Sequence, residues 1–284
     1  MCDIRTIHDQ YGASIAGEFN KSIWKKFNQA VRDYKLISPG DRIAVCISGG
    51  KDSMLLAKCI QRLQSFGKPD FQAEYIVMDP GYSPENRQKI EENARTLGIP
   101  AQFWSTRIFQ SAEESAHNPC FLCARLRRGW LYQKAQDLGC NKIALGHHFD
   151  DVIETILMGM LYGSQMQTMM PKLHSENYPV EVIRPLYLVR EDSVIAWAER
   201  NSLSFIRCAC RMTEGRPDEE SGSKRQTVKL LLRQLRAADP AVDMNIFRSA
   251  ENVNLRTLIS YHDGEKRHHF LDDYNEGYTL KGTK

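Results

Sequence analysis

Apolar residues along this chain fall into two spacings that alternate. Residues 20–36 set Ile23, Trp24, Phe27, Ala30, Val31 and Tyr34 three and four apart, which predicts an amphipathic helix. Ser38-Pro39-Gly40-Asp41 then breaks the pattern. Arg42-Ile43-Ala44-Val45-Cys46-Ile47 is a short apolar run and predicts a buried strand. A glycine pair follows at once, and residues 53–66 return to helical spacing. The theme repeats with a strand over 75–78 and a helix over 84–97, Pro84 in its first turn and Gly98 as its stop. Further on come a strand over 101–105, a helix over 121–138 ended by Gly139, a strand over 142–145 and a helix over 150–161 closed by Gly163.

Beyond Gly163 the pattern thins. Residues 166–170 read as a Met- and Gln-rich loop, 182–188 as an edge strand interrupted by Pro185, and 191–201 as a helix. Residues 214–223 are acidic and rich in Gly and Pro, a surface loop, and 222–238 form a strongly basic amphipathic helix. The tail from Tyr261, with His262, His268 and His269, shows no period, and the chain has no internal repeat. The strand–helix alternation predicts an α/β fold: a Rossmann-like parallel sheet with helices on both faces, plus an N-terminal helix and a C-terminal helical extension. Residues 1–38 are expected to form the N-terminal helical segment, 39–212 the catalytic domain, and 213–284 the basic helix and tail. Right-handed crossovers would bring Ser48–Ser53, the Met78-Asp79 turn and Gly146–Asp151 to one sheet edge, where ligands bind.

Composition changes this picture little. The 284 residues suffice for one large α/β domain with extensions, and 42% hydrophobic with 26% charged residues is ordinary for a soluble protein. No apolar run approaches bilayer length and the N-terminus lacks the order of a signal peptide, so cytoplasm is the expected compartment and no membrane partner is expected. Net charge is only +3, but Lys21, Lys25, Lys26, Arg32 and Lys35 crowd one segment and Arg125, Arg127 and Arg128 another. Eight cysteines are many for a reducing compartment. Cys46, Cys59 and Cys140 lie in apolar or helical surroundings and read as small hydrophobes. Cys120, Cys123, Cys208 and Cys210 are the chemical candidates.

Three motifs concentrate the chemistry. Ser48-Gly49-Gly50-Lys51-Asp52-Ser53 joins a strand to a helix: glycines allow a tight turn that aims N–H groups at an anion, and the helix start adds positive dipole. Lys51 adds a point charge for phosphate. The spacing is not that of a Walker A loop, and a Gly-rich turn with a Ser cap is the bland reading. The string resembles the PP-loop of ATP pyrophosphatases, which split ATP between the α and β phosphates and adenylate a carbonyl oxygen. That resemblance implies that Ser48, Gly49, Gly50, Lys51 and Ser53 hold pyrophosphate. It also implies that Asp52 supports the loop or places Mg²⁺, and that Met78 lies by the adenine.

Pro119-Cys120-Phe121-Leu122-Cys123 opens a helix that continues through Arg127 and Arg128, and Cys208-Ala209-Cys210 follows downstream. A helix start and nearby arginines favour thiolates. Two pairs of cysteines suit structural zinc, three with an open fourth position suit an iron–sulfur cluster, and a redox dithiol is a third option. The third motif, Gly146-His147-His148-Phe149-Asp150-Asp151, sits between a strand and a helix. Its acids serve either as helix caps or, on the ligand edge, as groups that hold Mg²⁺ or move a proton.

Taken in order, SGGKDS, PCxxCxRLRRG and GHHxDD resemble the bacterial tRNA 2-thiocytidine synthetase family, over about residues 25–250. The likeness includes Gly40-Asp41-Arg42-Ile43, Tyr162-Gly163 and Ile183-Arg184-Pro185-Leu186. It implies a PP-loop domain of the adenine nucleotide α-hydrolase type and a 4Fe-4S cluster on Cys120, Cys123 and Cys208, with Cys210 as rival third ligand. The uncoordinated iron would carry sulfide from a cysteine desulfurase. The implied reaction adenylates the C2 oxygen of a tRNA cytidine (position 32 of the anticodon loop) and replaces it with sulfur. Lys51, Asp52, Arg127, Asp150 and Asp151 would be catalytic; Gly146 and His147 would join the ATP site. Lys25, Lys26, Arg128, Lys229 and Arg233 would bind RNA, and a homodimer is expected. The alternatives are a thiolase of another tRNA base, of the 2-thiouridine type, a cluster-free persulfide thiolase, or a zinc-stabilised nucleotide-binding module without catalysis.

Overall fold

The structure is a computed structural model and describes residues 10–114, 119–206, 223–272 and 274. Six of the described strands form one sheet: β1 (Arg42–Ile47), β2 (Gln72–Asp79), β3 (Ala101–Ser105), β4 (Lys142–Ala144), β5 (Lys172–His174) and β6 (Glu181–Ile183). Their order is β3-β2-β1-β4-β6-β5, and every neighbouring pair is parallel except β5 with β6. The chain leaves β1 toward β2 on one side and returns with β4 on the other. The loops after β1 and β4 therefore diverge and open a crevice at their C-terminal ends.

Alternation along β1 divides the interior in two. Ile43, Val45 and Ile47 enter the larger core; Ala44 and Cys46 face the smaller one, with Ile76, Ala135, Ile143 and Val180. Helix α6 (Pro119–Asp137) covers the smaller face through Leu131 and Ala135. The larger face is covered by α3 (Lys51–Ser65), buried through Met54, Leu55, Leu56 and Ile60, with α4 (Pro84–Thr96) beside it. Around these lie α1 (Gln10–Ala16), a π-helical turn at Asn20–Trp24 leading into α2 (Lys25–Asp33), and α8 (Glu191–Arg200). Ile15, Ile23, Phe27 and Trp197 are fully buried there, and the Trp197 indole N–H reaches Ser14 Oγ at 3.2 Å. Helices α5 (Ile108–Glu113), α7 (Phe149–Gly163), α9 (Lys224–Ala238) and α10 (Val242–Ser249) complete the described helices of regular α type. The alternating parallel sheet with helices on both faces is as the pattern predicts.

Departures from the expected elements have local causes. The strand expected over 182–188 stops at Ile183, because Pro185 has no N–H to donate and the chain turns there. It is also interior, since β5 pairs outside it. Strand β5 escaped the hydropathy pattern because two of its three residues, Lys172 and His174, are polar. The helix expected over 20–36 ends at Asp33, where Lys35 takes φ +50° and the Leu36 N–H closes on Val31 O at 2.9 Å. The tail, which shows no period in the sequence, contains a hairpin: β7 (Ser260–Asp263) and β8 (Lys266–His269) turn about Gly264 at φ +60°. Its strands read SYHD and KRHH, with almost nothing apolar to alternate.

Candidate active site

A cleft of about 360 Å³, within the range of small-molecule sites, opens where β1, β2 and β4 end. Cys46, Ile47, Ser48, Asp52, Ser53, Met78, Arg127, Leu131, Leu145, Gly146, His147 and Asp151 line it. The sheet edge thus gathers the three segments expected there, and α6 contributes Arg127 and Leu131 from the side.

The loop from β1 to α3 is shaped by Gly49, whose φ of +85° suits glycine. A Cβ there would also stand 2.5 Å from Ile90 Cγ1 and 2.8 Å from Ile206 Cδ1. Gly50 begins α3 without a side-chain cap, which leaves the orphan N–H donors of the first turn to an anion. Ser53 Oγ braces the turn, accepting from Ser48 N–H at 3.1 Å and donating to Gly50 O at 2.9 Å. Gly146 lies against this turn backbone to backbone. A Cβ on it would meet Ser53 N at 3.0 Å and the Asp52 carbonyl carbon at 3.1 Å.

Lys51 Nζ lies between two carboxylates, Glu191 Oε1 at 3.0 Å and Asp52 Oδ1 at 3.1 Å. Burial works to lower the lysine pKa, but Asp52 and Glu191 outweigh it and hold the ammonium charged. Glu191 sees the converse. Burial would raise its carboxyl, yet Lys51, then Lys229, bring it down to about 2. Asp52 Oδ1 is buried and accepts no well-aligned hydrogen bond, so it retains lone pairs for a ligand.

The two histidines have separate duties. His148 caps α7: its Nδ1 accepts from Asp151 N–H at 3.4 Å, while Asp151 Oδ2 accepts from His148 N–H at 3.0 Å. Its Nε2 stands 3.7 Å from Asp52 Oδ1. His147 lines the cleft, and Arg184 Nε donates to its Nδ1 at 3.3 Å. Burial drives the His147 pKa down to about 4, opposed by Asp151 and reinforced by Arg184 and Arg225, so the ring is neutral near pH 7.

Other expected residues are dispersed. Asp151 lines the cleft but its neighbour Asp150 does not. Asp150 is buried, accepts from Glu191 N–H at 2.7 Å and from Arg190 Nε at 3.3 Å, and pairs with Arg236. Lys25, Lys26, Arg128 and Arg233 are exposed. Lys229 instead faces Glu191 and Glu154, at 3.5 Å and 3.6 Å. Cys120 and Cys123 lie one turn apart on α6, and the Cys123 side chain is buried. Tyr82 lies near it. Burial raises that phenol's pKa, the Arg127 charge lowers it, and Asp79 and Cys123 raise it further. The Tyr82 hydroxyl reaches Ser48 O at 3.4 Å, so one ring stands by the thiol, the guanidinium and the loop. Cys208 and Cys210 lie outside the described residues; Ile206, two positions before Cys208, abuts Gly49. Among the described residues no group of three or more His, Cys, Asp or Glu is gathered to hold a metal ion. The motifs gave no hint of Glu191 or Tyr82; Arg184 entered only through the likeness at Ile183–Leu186, and Arg225 only as one cation of the basic helix. The one available signal was an acid opening a predicted helix, at Glu191.

An anion-binding turn at the switch point of a parallel sheet, with its lysine held at the helix start, defines a PP-loop protein. The family model for the PP-loop domain matches residues 19–210. The tRNA-cytidine(32) 2-sulfurtransferase of Alkalilimnicola ehrlichii is 39% identical over 230 residues, covering 79% of this chain and 70% of that protein. The same enzyme of Syntrophotalea carbinolica is 37% identical over 243 residues, covering 84% and 92%. The chain belongs to the tRNA-cytidine(32) 2-sulfurtransferase family of PP-loop proteins. Among solved structures, the U34-tRNA thiolase NcsA from Methanococcus maripaludis with its [4Fe-4S] cluster superposes with a TM-score of 0.60 at 22% identity. The match covers 80% of this chain and 77% of that one and supports the fold.

Proposed function

We propose that this protein uses ATP to exchange the C2 oxygen of a tRNA cytidine, at position 32 as in its named relatives, for sulfur. The observation that carries this reading is the convergence of α6 on the phosphate loop: Arg127 enters the cleft beside Ser48 and Asp52, and Cys123 stands by Tyr82. The pyrophosphate part of ATP lies on Ser48, Gly49, Gly50, Lys51 and Ser53, with Met78, Gly146 and His147 along the rest of the nucleotide. Asp52 and Asp151, the acids on the cleft wall, hold Mg²⁺ together with phosphate oxygens, a cation that needs few protein ligands. The cytidine C2 oxygen attacks the α-phosphorus and pyrophosphate leaves. A sulfur nucleophile then adds at C2, and AMP departs with the former carbonyl oxygen. Lys51 and Arg127 offset charge developing on the phosphates.

Thiolate donors suit an iron–sulfur group, and the buried Cys123 with Arg127 one turn away fits one. Cys120, Cys123 and Cys208, with Cys210 as the rival third ligand, would hold a 4Fe-4S cluster that supplies the incoming sulfide. A cysteine desulfurase is the sulfur donor, the compartment is the cytoplasm, and the working form is a homodimer. RNA phosphates meet the exposed Lys25, Lys26, Arg128 and Arg233. Nucleoside analysis of tRNA from cells lacking the protein tests the reading, with loss of 2-thiocytidine expected. Loss of a thiouridine instead would reassign the base, and an unchanged profile would overturn the reading. Anaerobically purified protein is expected to be brown and to lose its iron in Cys123→Ser; stoichiometric zinc would sink the cluster assignment.

A further inference from the structure

The basic helix α9 lies outside the part of the chain that the PP-loop model matches, and its composition suggested RNA binding. Two of its cations point elsewhere. Arg225 pairs with Glu154 at 2.8 Å and with Asp151 at 3.1 Å. Lys229 lies 3.6 Å from the same Glu154 and 3.5 Å from Glu191. Glu191 in turn holds Lys51, which also touches Asp52. Seven charged groups of alternating sign therefore run Asp52–Lys51–Glu191–Lys229–Glu154–Arg225–Asp151. Both ends, Asp52 and Asp151, are acids of the cleft wall.

We propose that Lys229 and Arg225 of α9, with Glu191 of α8, are positioning residues of the nucleotide site. They fix Lys51 and Asp151 from behind and neutralise the acids around an incoming polyphosphate. The proposal rests on the reading of the cleft as an ATP site. Without the two α9 cations, the buried Glu154 (side chain 3% exposed) would lose its partners, and Glu191 would keep its negative charge behind the phosphate loop with Lys51 as its close cationic partner. That charge opposes a triphosphate and leaves Glu191 to compete with it for Lys51. His148 supports the same arrangement, its Nε2 lying 3.7 Å from Asp52 Oδ1 and 4.0 Å from Glu191 Oε1. Removal of Glu191 has a different consequence. One negative charge goes, so nucleotide binds at least as tightly, but Lys51 loses the group that orients it.

The test measures ATP and tRNA binding separately on the full-length protein, together with turnover. Lys229→Met and Arg225→Gln are expected to weaken ATP binding about 3- to 30-fold, the range for members of one ionic network, while tRNA affinity stays within twofold. Lys229→Arg should recover most of the loss, which a general folding defect would not allow, and melting curves report folding directly. Glu191→Gln should keep or tighten ATP binding and lower turnover, separating kcat from KM. Should wild-type protein fail to bind ATP, the reading of the cleft is wrong. If it binds ATP and the two α9 variants bind it equally well but lose tRNA, α9 is an RNA-binding helix and the inference is overturned.

Discussion

Gly146→Ala is the smallest change that probes how closely the two cleft loops must approach. The new methyl would stand 3.0 Å from Ser53 N and 3.1 Å from both the Asp52 carbonyl carbon and Ser53 Cα. These are backbone atoms at the start of a helix whose next turns are buried in the main core, so they yield less readily than a flexible side chain would. Relief must come from moving the β4–α7 loop outward by a few tenths of an ångström. Overpacking of this kind costs about 1–3 kcal/mol. For a chain of this size that corresponds to a fall in Tm of roughly 2–8 °C. The same shift carries His147 and Asp151 away from Asp52, and with catalytic geometry this sensitive, ATP affinity should fall about tenfold. Differential scanning calorimetry and titration with a non-hydrolysable ATP analogue measure the two effects. A variant that keeps both wild-type Tm and wild-type affinity would show that the backbone contact at Gly146 does not shape the site.

Two further predictions concern charge. The His147 pKa is held at about 4 against an ordinary 6.5, so between those values the unfolded chain binds the proton and the folded one does not. Stability should therefore be full above pH 6.5 and fall by about 2–3 kcal/mol toward pH 4. Glu191, held at about 2, extends the loss below pH 4.5, and denaturant titrations that show no decline between pH 6.5 and 4 would refute the assignment. Arg184→Gln removes the donor to His147 Nδ1 and a cation that depresses its pKa. In ¹⁵N spectra the imidazole should titrate higher and lose its fixed Nε2-protonated form; unchanged resonances would mean that Arg184 does not control the ring.

The sequence revealed most where local physics dominates. The apolar run Arg42–Ile47, the glycines after it and the amphipathic α3 announce themselves because burial on both faces and a tight turn each demand particular residues. Strand β5 and the β7–β8 hairpin were illegible since their residues are mostly polar and half exposed, held by partners rather than by hydrophobic alternation. Within the site, Ser48, Asp52, Met78, Gly146 and His147 were foreseeable from their place at or just after strand ends. Glu191 and Arg225 were not, because an ion pair between groups 140 residues apart, such as Lys51 with Glu191, leaves no spacing to read. Asp150 shows the opposite limit. Its motif marks it equally with Asp151, yet one residue of helical rotation turns it from the cleft toward Arg190 and Arg236.

Helices α9 and α10 also bear on where this protein can be cut. Val228 and Leu232 are inserted into the main core, and Phe247 packs on Phe149 with ring centroids 5.0 Å apart. The matched family domain closes at residue 210, before Val228, Leu232 and Phe247. A fragment ending there would present α7 with its apolar flank bare, a surface prone to aggregation. Homology and packing thus draw different borders on the same chain. A molecule divided between the matched domain and α9 would keep its two pieces together through a shared interior.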